Sequence, residues 1–242
     1  MRTLVSAIVV LTLSSSVAPT YRVTRTVGDH PFLYEFRGVA TPVFTPPADN
    51  ALSAWQTLPF AWKFFGQPVD GYYISDNGYL TFDKSAKTSV ATSTALTDPA
   101  APRNSLFAFW TDMRLEAGHG QWVGHVYTAT LGVTPNRIHA IYWMGPVPAA
   151  DTFATSSYNF LVAIHENGEF ESIFSSGRKA TPAKATIGAL SADGKTAVTA
   201  AGPGFDYPSV GYGTEDDVSY RFSAIDGTIA GVYRSNVSTR RR

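Results

Sequence analysis

Carboxylates around the Asn167-Gly168 dipeptide offer the best case for catalysis in this sequence. If the dipeptide is a two-residue hairpin turn, Glu166 lies opposite Glu169, and Glu171 follows on the same sheet face. Glycoside hydrolases use pairs of carboxylates in this way, as acid and base or nucleophile. The competing interpretation, which we favour, places Glu166 and Glu169 at a hairpin tip where water solvates them. Only Glu171, beside Ile164, is then expected to be buried enough for a raised pKa.

Acidic residues at the end of a long loop offer a second kind of site. Glu215, Asp216 and Asp217 end the glycine-rich loop Gly202–Asp217, and Ca²⁺ binds clustered hard oxygen ligands in such loops. The run lacks the D-x-[DN]-x-[DN]-G spacing of an EF-hand, so a solvated acidic surface is the alternative. Calcium is therefore a possible ligand, and no other cofactor is predicted.

Aromatic residues on the same loop favour binding over chemistry. Phe205, Tyr207 and Tyr212 could stack on sugar rings or anchor a partner protein. The alternative, which general burial preferences favour, is that these rings fold back onto the protein as a lid. The sequence contains no cysteine, no G-x-S-x-G, no P-loop and no G-x-G-x-x-G motif. Thiolate, acyl-transfer and nucleotide chemistry therefore have no starting point.

Short β-strands must position all these residues. Five Asp-Gly or Asn-Gly dipeptides separate runs of aromatic and β-branched residues, and helical periodicity is almost absent. The sequence predicts an all-β fold: a single antiparallel β-sandwich of two packed sheets, jelly-roll-like or lectin-like. Three long loops leave it, namely Asp83–Asn104, Gly145–Ser157 and Gly202–Asp217.

The stretch Leu58–Phe82 organises the predicted sandwich. Turns are expected at Asp70-Gly71 and Asn77-Gly78, and a two-residue turn at the second places Tyr73 opposite Phe82. Tyr73, Leu80 and Phe82 then share the core face, while Ile74 and Tyr79 point the other way. The predicted core residues are Phe60, Phe64, Tyr73, Leu80, Phe82, Phe109 and Trp110.

Five segments carry recognisable motifs: LPFAWKFFG, SDNGYLTF, FWTD, YNFLVAIHENGEFESIF and ATIGA. Their motif residues are Leu58, Pro59, Phe60, Trp62, Phe64, Phe65, Gly66, Ser75, Asn77, Gly78, Leu80, Phe82, Phe109, Trp110 and Asp112. Together the segments resemble secreted β-sandwich modules related to the NIDO domain, found in nidogen-like matrix proteins and bacterial surface proteins. Phe65 departs from the tyrosine usual in the family, and the disulfides of animal members cannot form. The resemblance implies an extracellular module, and it marks Asp112 as a further calcium candidate.

The two termini are predicted to lie outside the sandwich domain. Residues 1–19 have the pattern of a signal peptide, with an N-terminal β-strand as the alternative. Residues 20–233 are expected to form the sandwich, with Tyr21–Val27 at a sheet edge, and residues 234–242 a basic polar tail. Lysine plus arginine equals aspartate plus glutamate, so the charge balance favours neither nucleic acid nor anionic membranes. The apolar N-terminal run is too short for a stable membrane span.

The sequence therefore predicts an exported, non-catalytic module for extracellular adhesion, matrix or surface assembly. Its expected partner is an extracellular protein or glycan, bound through the long loops. One alternative is a carbohydrate-binding module or glycoside hydrolase on a lectin-like sandwich. Another is a structural subunit that assembles by edge-strand pairing.

Overall fold

The fold is given by a computed structural model, and the structure describes residues 20–28, 36, 39–44, 46–116, 124–175, 184–207 and 217–225. Its strands are β1 (Thr20–Gly28), β2 (Thr41–Pro42), β3 (Ala48–Asp49), β4 (Gln56–Phe64), β5 (Gln67–Ser75), β6 (Tyr79–Thr81), β7 (Ser105–Trp110), β8 (Met113–Leu115), β9 (His125–Leu131), β10 (Ile138–Met144), β11 (Val147–Pro148), β12 (Asn159–His165), β13 (Phe170–Phe174), β14 (Ala185–Leu190), β15 (Ala197–Phe205) and β16 (Asp217–Ile225). The predicted signal segment 1–19 and tail 234–242 lie outside the described residues.

Antiparallel strands form two large sheets, which confirms the predicted all-β sandwich. The first sheet has the order β1-β16-β13-β12-β10-β9-β2, and the second has the order β15-β14-β7-β6-β5-β4. A small third sheet has the order β11-β8-β3. β1 occupies an edge of the first sheet, as predicted for Tyr21–Val27.

An aromatic core fills the space between the two large sheets. The sequence of β4 illustrates how the strands supply this core. Its apolar residues alternate with polar or small ones, so from Leu58 onward every second residue is buried. Phe109 sits centrally, with its ring centroid 5.4 Å from that of Phe160 and 5.7 Å from that of Phe174. The predicted residues Phe60, Phe64, Leu80, Phe82 and Phe109 all belong to this core.

The β5–β6 hairpin is one residue out of the predicted register. Ser75 pairs with Tyr79 and Ile74 with Leu80, so Asp76-Asn77-Gly78 is a three-residue loop closed by a glycine at φ 78°. Ile74 therefore shares the core face with Leu80. Tyr73 turns to the other face, where it is half-buried against Trp55, so its assignment to the core is wrong.

Buried side chains in the loop explain this register. The Asn77 carboxamide oxygen accepts the Met113 amide at 2.8 Å, and the amide of Asn77 itself donates to Ser75 Oγ at 3.0 Å. A two-residue turn would leave Asn77 at the solvent-facing tip, where its side chain could not reach the Met113 amide.

The turn expected at Asp70-Gly71 is also displaced. Asp70-Gly71 lies inside β5, and the chain reverses at Phe65-Gly66, where both residues have positive φ (47° and 76°). The Phe65 amide donates to the buried Tyr21 hydroxyl at 3.0 Å, and the two rings pack edge to face at 5.0 Å. This cross-sheet contact holds a bulky residue in a backbone conformation that it rarely adopts.

The loop Asp83–Asn104 covers the outer face of the second sheet. The Val90 amide donates to the Tyr79 hydroxyl at 2.9 Å, and its carbonyl accepts the Trp110 indole N–H at 2.8 Å. Trp110 is buried as predicted, but in this outer cluster, whose buried members are Tyr79, Leu96, Ala101, Phe107, Trp110 and Leu190. The outer face of the β5–β6 hairpin is thus covered by this loop.

Contacts between the sheets define two ends of the sandwich. At what we call the upper end, the Trp143 indole N–H donates to the Ser75 carbonyl at 2.9 Å, where β5 finishes. At the lower end, beside the turn Phe65-Gly66, the ring centroids of Phe64 and Phe170 lie 6.3 Å apart.

Candidate functional site

The upper end of the sandwich carries the loop Gly145–Ser157. It begins where β10 ends, and its Ala149 amide donates to the Asp112 carbonyl at 3.0 Å, just beyond β7. Of the three long loops predicted to bind a partner, it is the one that the structure describes throughout and that does not cover a sheet face.

Arg114 of β8 holds this loop from beneath. Its guanidinium donates to the carbonyls of Pro148 (3.0 Å), Ala149 (2.9 Å) and Asp151 (2.7 Å). Glu116 orients the same guanidinium through a contact of 2.5 Å with Nε. A planar arginine head with several donors fixes carbonyls in a way that a flexible side chain could not.

Asp151 fixes the loop from within. Its buried carboxylate accepts the Ser156 amide at 2.6 Å and the Thr155 hydroxyl at 2.9 Å. Burial works against the charged form, but these hydrogen bonds prevail and lower the pKa of Asp151 to about 2. The carboxylate therefore stays ionised at every ordinary pH and can keep accepting these hydrogen bonds.

Phe153 stands at the tip of the loop and is 86% exposed, the largest exposed fraction among the described large hydrophobic residues. The following residue, Ala154, adopts φ 50°. A lone apolar residue on a surface is ordinary. What distinguishes Phe153 is that a buried carboxylate and an arginine fix the backbone that presents it.

An acidic patch adjoins this loop. Asp76 is fully buried, and its Oδ1 accepts the Ala51 amide at 3.1 Å, while Oδ2 has no hydrogen-bond partner among the described residues. Burial and the nearby Asp49 carboxylate raise the pKa of Asp76 to about 6. The calcium candidate Asp112 is exposed, and burial and Asp49 raise its pKa too.

The described part of the chain contains no group of three or more His, Cys, Asp or Glu side chains placed to hold a metal ion. Asp217 begins β16, opposite Gly28, and Glu215 and Asp216 lie outside the described residues. Calcium binding stays a prediction.

The predicted catalytic carboxylates are not arranged as expected. The hairpin has no two-residue turn. The His165 amide donates to the Glu169 carbonyl at 2.9 Å, so Glu166-Asn167-Gly168 forms a three-residue loop between them. Glu166 instead pairs with Arg137 at 2.6 Å, and this contact lowers its pKa. The predicted opposition of Glu166 and Glu169 is therefore wrong.

Glu169 and Glu171 do share a face, on the outer side of β13. Both carboxylates face Arg221 of β16, which bonds Glu171 through Nε at 2.5 Å, and Ser223 donates to Glu169 at 2.5 Å. The Ser223 hydrogen bond lowers the pKa of Glu169. Glu171 is buried, as expected, but beside a cation. The pKa values of Glu166 and Glu169 are lowered, whereas a general acid needs a raised pKa.

The aromatic candidates of the third loop belong to the core. Tyr207 is 2% exposed, and its hydroxyl lies within hydrogen-bond distance of two carbonyl oxygens, those of Asn159 (2.5 Å) and Ser175 (2.7 Å), which share its single proton. Phe205 is partly buried, 6.0 Å from the ring of Tyr220. The alternative favoured from the sequence, in which these rings fold back onto the sandwich, is thus confirmed for Tyr207 and Phe205, and their assignment as exposed ligand-binding residues is corrected, because the apolar rings pack against the core. Tyr212 lies outside the described residues.

A groove that the sequence analysis missed opens at the lower end, between β4 and β5. The strands pair at Thr57–Gly71 and again at Trp62–Val69, so Leu58–Ala61 bulges away opposite Asp70 alone. We call the resulting cavity of about 850 Å³ the β4–β5 groove; it is lined by Thr57–Trp62, Gln67–Asp70, Phe82, Lys84, Asn104 and Ala192. One residue in the sequence indicates this interruption of the strand pairing. Pro59 has no backbone N–H and so cannot donate a hydrogen bond to the neighbouring strand.

The groove combines an apolar interior with a charged rim. Trp62 is 4% exposed, and its indole N–H has no hydrogen-bond partner among the described residues. Lys84 and Asp70 form an exposed ion pair of 2.7 Å at the rim. Its volume lies within the range of ligand-binding pockets.

A family model described as NIDO related matches residues 20–222, which is most of the chain. No curated protein and no solved structure shows a significant match. The match supports an extracellular type of β-module. The described residues include no helix with the length and hydrophobicity needed to cross a membrane.

Proposed function

The chain belongs to the NIDO-related family, and from this premise we propose that it is an exported, non-catalytic module that binds an extracellular protein or glycan through the loop Gly145–Ser157. The observation that supports this most directly is the 86% exposure of Phe153 on a loop whose backbone is fixed by Arg114 and Asp151.

Rigid presentation matters because ordering a loop on binding costs free energy. A loop that is already fixed in the unbound protein avoids much of this cost. Aromatic side chains at such positions commonly contribute a large share of binding energy, since they bury a large area with few rotatable bonds. Adhesion or matrix assembly would use a contact of this kind.

Catalysis by the acidic residues is less well supported. Arg137 holds Glu166, and Arg221 lies against Glu169 and Glu171, so each carboxylate has a cation beside it. A glycoside hydrolase needs one carboxylic acid with a raised pKa facing its substrate. Carbohydrate binding without hydrolysis remains compatible with the proposed role, with a glycan as the partner.

Edge-strand assembly is the second candidate, and the position of β1 favours it. This nine-residue strand pairs with β16 on one side and ends the sheet order on the other. However, Arg22 and Arg25 are exposed on it, and charged residues on an edge strand disfavour pairing with another chain.

An array of glycans and extracellular matrix proteins tests the proposed function. We expect the purified chain to bind at least one member of the array and to release it unchanged. Hydrolysis of a bound glycan that Glu171→Ala abolishes would overturn the proposal in favour of the enzyme.

A further inference from the structure

The sequence contains two Asn-Gly dipeptides, and each occupies the second and third positions of a three-residue hairpin loop. They are Asn77-Gly78 between β5 and β6 and Asn167-Gly168 between β12 and β13. Asparagine before glycine is chemically labile, because the glycine nitrogen can attack the side-chain carboxamide and no Cβ obstructs it. Since the two loops match in length and position, a difference in reactivity between them reports their surroundings.

Asn77 is held against this reaction. Its side chain is fully buried, with Oδ1 accepting the Met113 amide at 2.8 Å and Nδ2 donating to Asn50 Oδ1 at 3.0 Å. Gly78 is fixed too, because a Cβ placed on it would overlap the Phe109 carbonyl oxygen. Ring closure would have to break these buried hydrogen bonds and move a tightly packed backbone, so the folded protein protects this dipeptide.

Asn167 has no such protection. It is exposed, and its carboxamide bonds within its own loop, where Oδ1 accepts the Glu169 amide at 3.1 Å and Nδ2 donates to Glu169 Oε2 at 3.2 Å. A Cβ on Gly168 would meet no atom within 4 Å, so the loop has room to change shape. The Gly168 amide donates to the His165 carbonyl at 3.0 Å, and local opening of this hydrogen bond at the loop tip frees the nucleophile.

The contact between Glu169 and Asn167 also favours attack. The side-chain oxygen of Asn167 bonds to an amide two residues ahead, which is the arrangement of an Asx turn. This donor draws electron density away from the carboxamide carbon. It also stabilises the negative charge that the oxygen gains when the nitrogen adds.

We propose that Asn167 is a site of spontaneous covalent modification in the folded protein, converting through a succinimide to aspartate and isoaspartate, while Asn77 stays intact. The proposal is independent of the proposed binding function. The modified hairpin lies at the lower end of the sandwich, beside Phe170, whereas the loop Gly145–Ser157 lies at the upper end.

The reaction consumes water and releases ammonia, with no oxidant or reductant. The Gly168 nitrogen gives its proton to water and bonds to Asn167 Cγ, and the bond from Cγ to Nδ2 breaks as Nδ2 takes a proton from water and leaves as ammonia. Water then opens the five-membered ring at either carbonyl carbon. Opening at Cγ gives aspartate, whereas opening at the backbone carbonyl carbon of residue 167 gives isoaspartate, with one extra carbon in the main chain. Either product adds a negative charge beside Glu166 and Glu169.

Prolonged incubation of the full chain at mildly alkaline pH tests this proposal. One sample is kept folded and a second is kept unfolded in guanidinium chloride, and peptide mapping by mass spectrometry follows each dipeptide. In the folded sample we expect Asn167 to convert about tenfold faster than Asn77 or more, because only Asn77 must break buried hydrogen bonds. In the unfolded sample both should convert at similar rates. Aspartyl and isoaspartyl peptides should appear together, as opening of a shared ring requires.

Two glycine variants test the mechanism. Gly168→Ala should slow conversion of Asn167 about tenfold or more, because the new Cβ obstructs the attacking nitrogen. Gly204→Ala is the matched control, since Gly204 has a similar φ of 97° and equally open space but does not follow an asparagine. This control should convert Asn167 at the wild-type rate.

Three results would overturn the proposal. The first is an Asn167 that stays intact in the folded protein while it converts in guanidinium chloride, which would show that the loop blocks attack. The second is conversion of Asn77 as fast as that of Asn167 in the folded protein. The third is conversion of Asn167 in Gly168→Ala at the wild-type rate, which would indicate direct hydrolysis of the carboxamide without ring closure.

Discussion

His139 gives the core a pH-sensitive residue. Its imidazole is buried between the Tyr72 hydroxyl (2.6 Å from Nε2) and the Thr130 hydroxyl (2.9 Å from Nδ1). Burial lowers the pKa of His139 from its ordinary 6.5 to about 4. Between these values the unfolded chain binds a proton that the folded chain does not, so stability decreases as the pH falls.

We predict that the free energy of unfolding loses on the order of 3 kcal/mol from this residue between pH 6.5 and pH 4. His139→Gln keeps hydrogen-bonding capacity but cannot be protonated, so its unfolding free energy should depend less on pH in this window. Urea unfolding at several pH values measures the difference. Identical pH profiles for the two proteins would contradict the assignment.

Asp76 acts in the opposite direction. Because its pKa is raised from 3.8 to about 6, the folded chain keeps a proton that the unfolded chain loses, and the buried charge destabilises the fold above pH 6. Asp76→Asn should therefore stabilise the protein at pH 7, by at most about 3 kcal/mol. The gain should disappear below pH 4. Thermal melts at both pH values test this, and a destabilised variant at pH 7 would show that the carboxylate has an unrecognised partner.

Residue patterns predicted which side chains are buried better than they predicted which face each one occupies. Phe64, Leu80 and Phe109 lie in the core as expected, since their hydrophobicity alone determines it. Tyr73 does not, because the register depends on hydrogen bonds from Asn77 to distant groups such as the Met113 amide. A hairpin dipeptide carries no information about such contacts.

At the scale of the elements, Gly71 shows why β5 runs through an expected turn. A Cβ there would lie 2.3 Å from the Gln56 carbonyl oxygen and 2.5 Å from the Trp55 indole nitrogen, so β4 and β5 approach more closely than any larger residue allows. We predict that Gly71→Ala destabilises the protein by about 2 kcal/mol or more through this overlap.

Gly168→Ala is the comparison for that variant. It introduces a methyl group with no atom within 4 Å but at a positive φ of 98°, so it should cost only about 1 kcal/mol. Urea unfolding ranks the two variants. A Gly71→Ala protein as stable as the wild type would refute the close approach of the strands.

The rigidity of the Gly145–Ser157 loop depends on Arg114. Arg114→Ala removes three hydrogen bonds to loop carbonyls, and we predict that the amides of Asp151 and Ser156 then exchange hydrogen about tenfold faster or more. Strand amides should be unaffected. Arg103→Ala, at an exposed arginine, is the control. Unchanged exchange in the loop of Arg114→Ala would show that Asp151 alone fixes it.

Loops were the elements that the sequence described least well. Glycine, proline and small polar residues marked where Asp83–Asn104 and Gly145–Ser157 leave the strands. They did not reveal that Val90 bonds to Tyr79 and Trp110 and so turns the first loop into a cover. The β4–β5 groove was missed for a similar reason, because it results from a mismatch between two strands rather than from a motif in one.

For the whole molecule, the fold and the family could be predicted from strand patterns and motif residues, and the family match over residues 20–222 agrees with both. Function could not be predicted to the same depth. Sandwiches serve many roles, and the feature on which the proposed function rests, a fixed loop carrying Phe153, exists only after Arg114 and Asp151 meet in space.

Export is a further prediction at this scale. The apolar segment before residue 20 should direct the chain out of the cell and be removed, so mass spectrometry of secreted protein should find a mature chain that lacks residues 1–19. Secreted protein with an intact Met1 would favour the alternative, in which the segment is retained as a strand.

The most direct test of the central claim is the affinity of Phe153→Ser for a member of the glycan and matrix-protein array that the wild type binds. If the fixed loop is the binding site, loss of the ring should weaken binding about tenfold or more while leaving the melting temperature unchanged. Binding as tight as that of the wild type would show that the partner is recognised elsewhere on the sandwich.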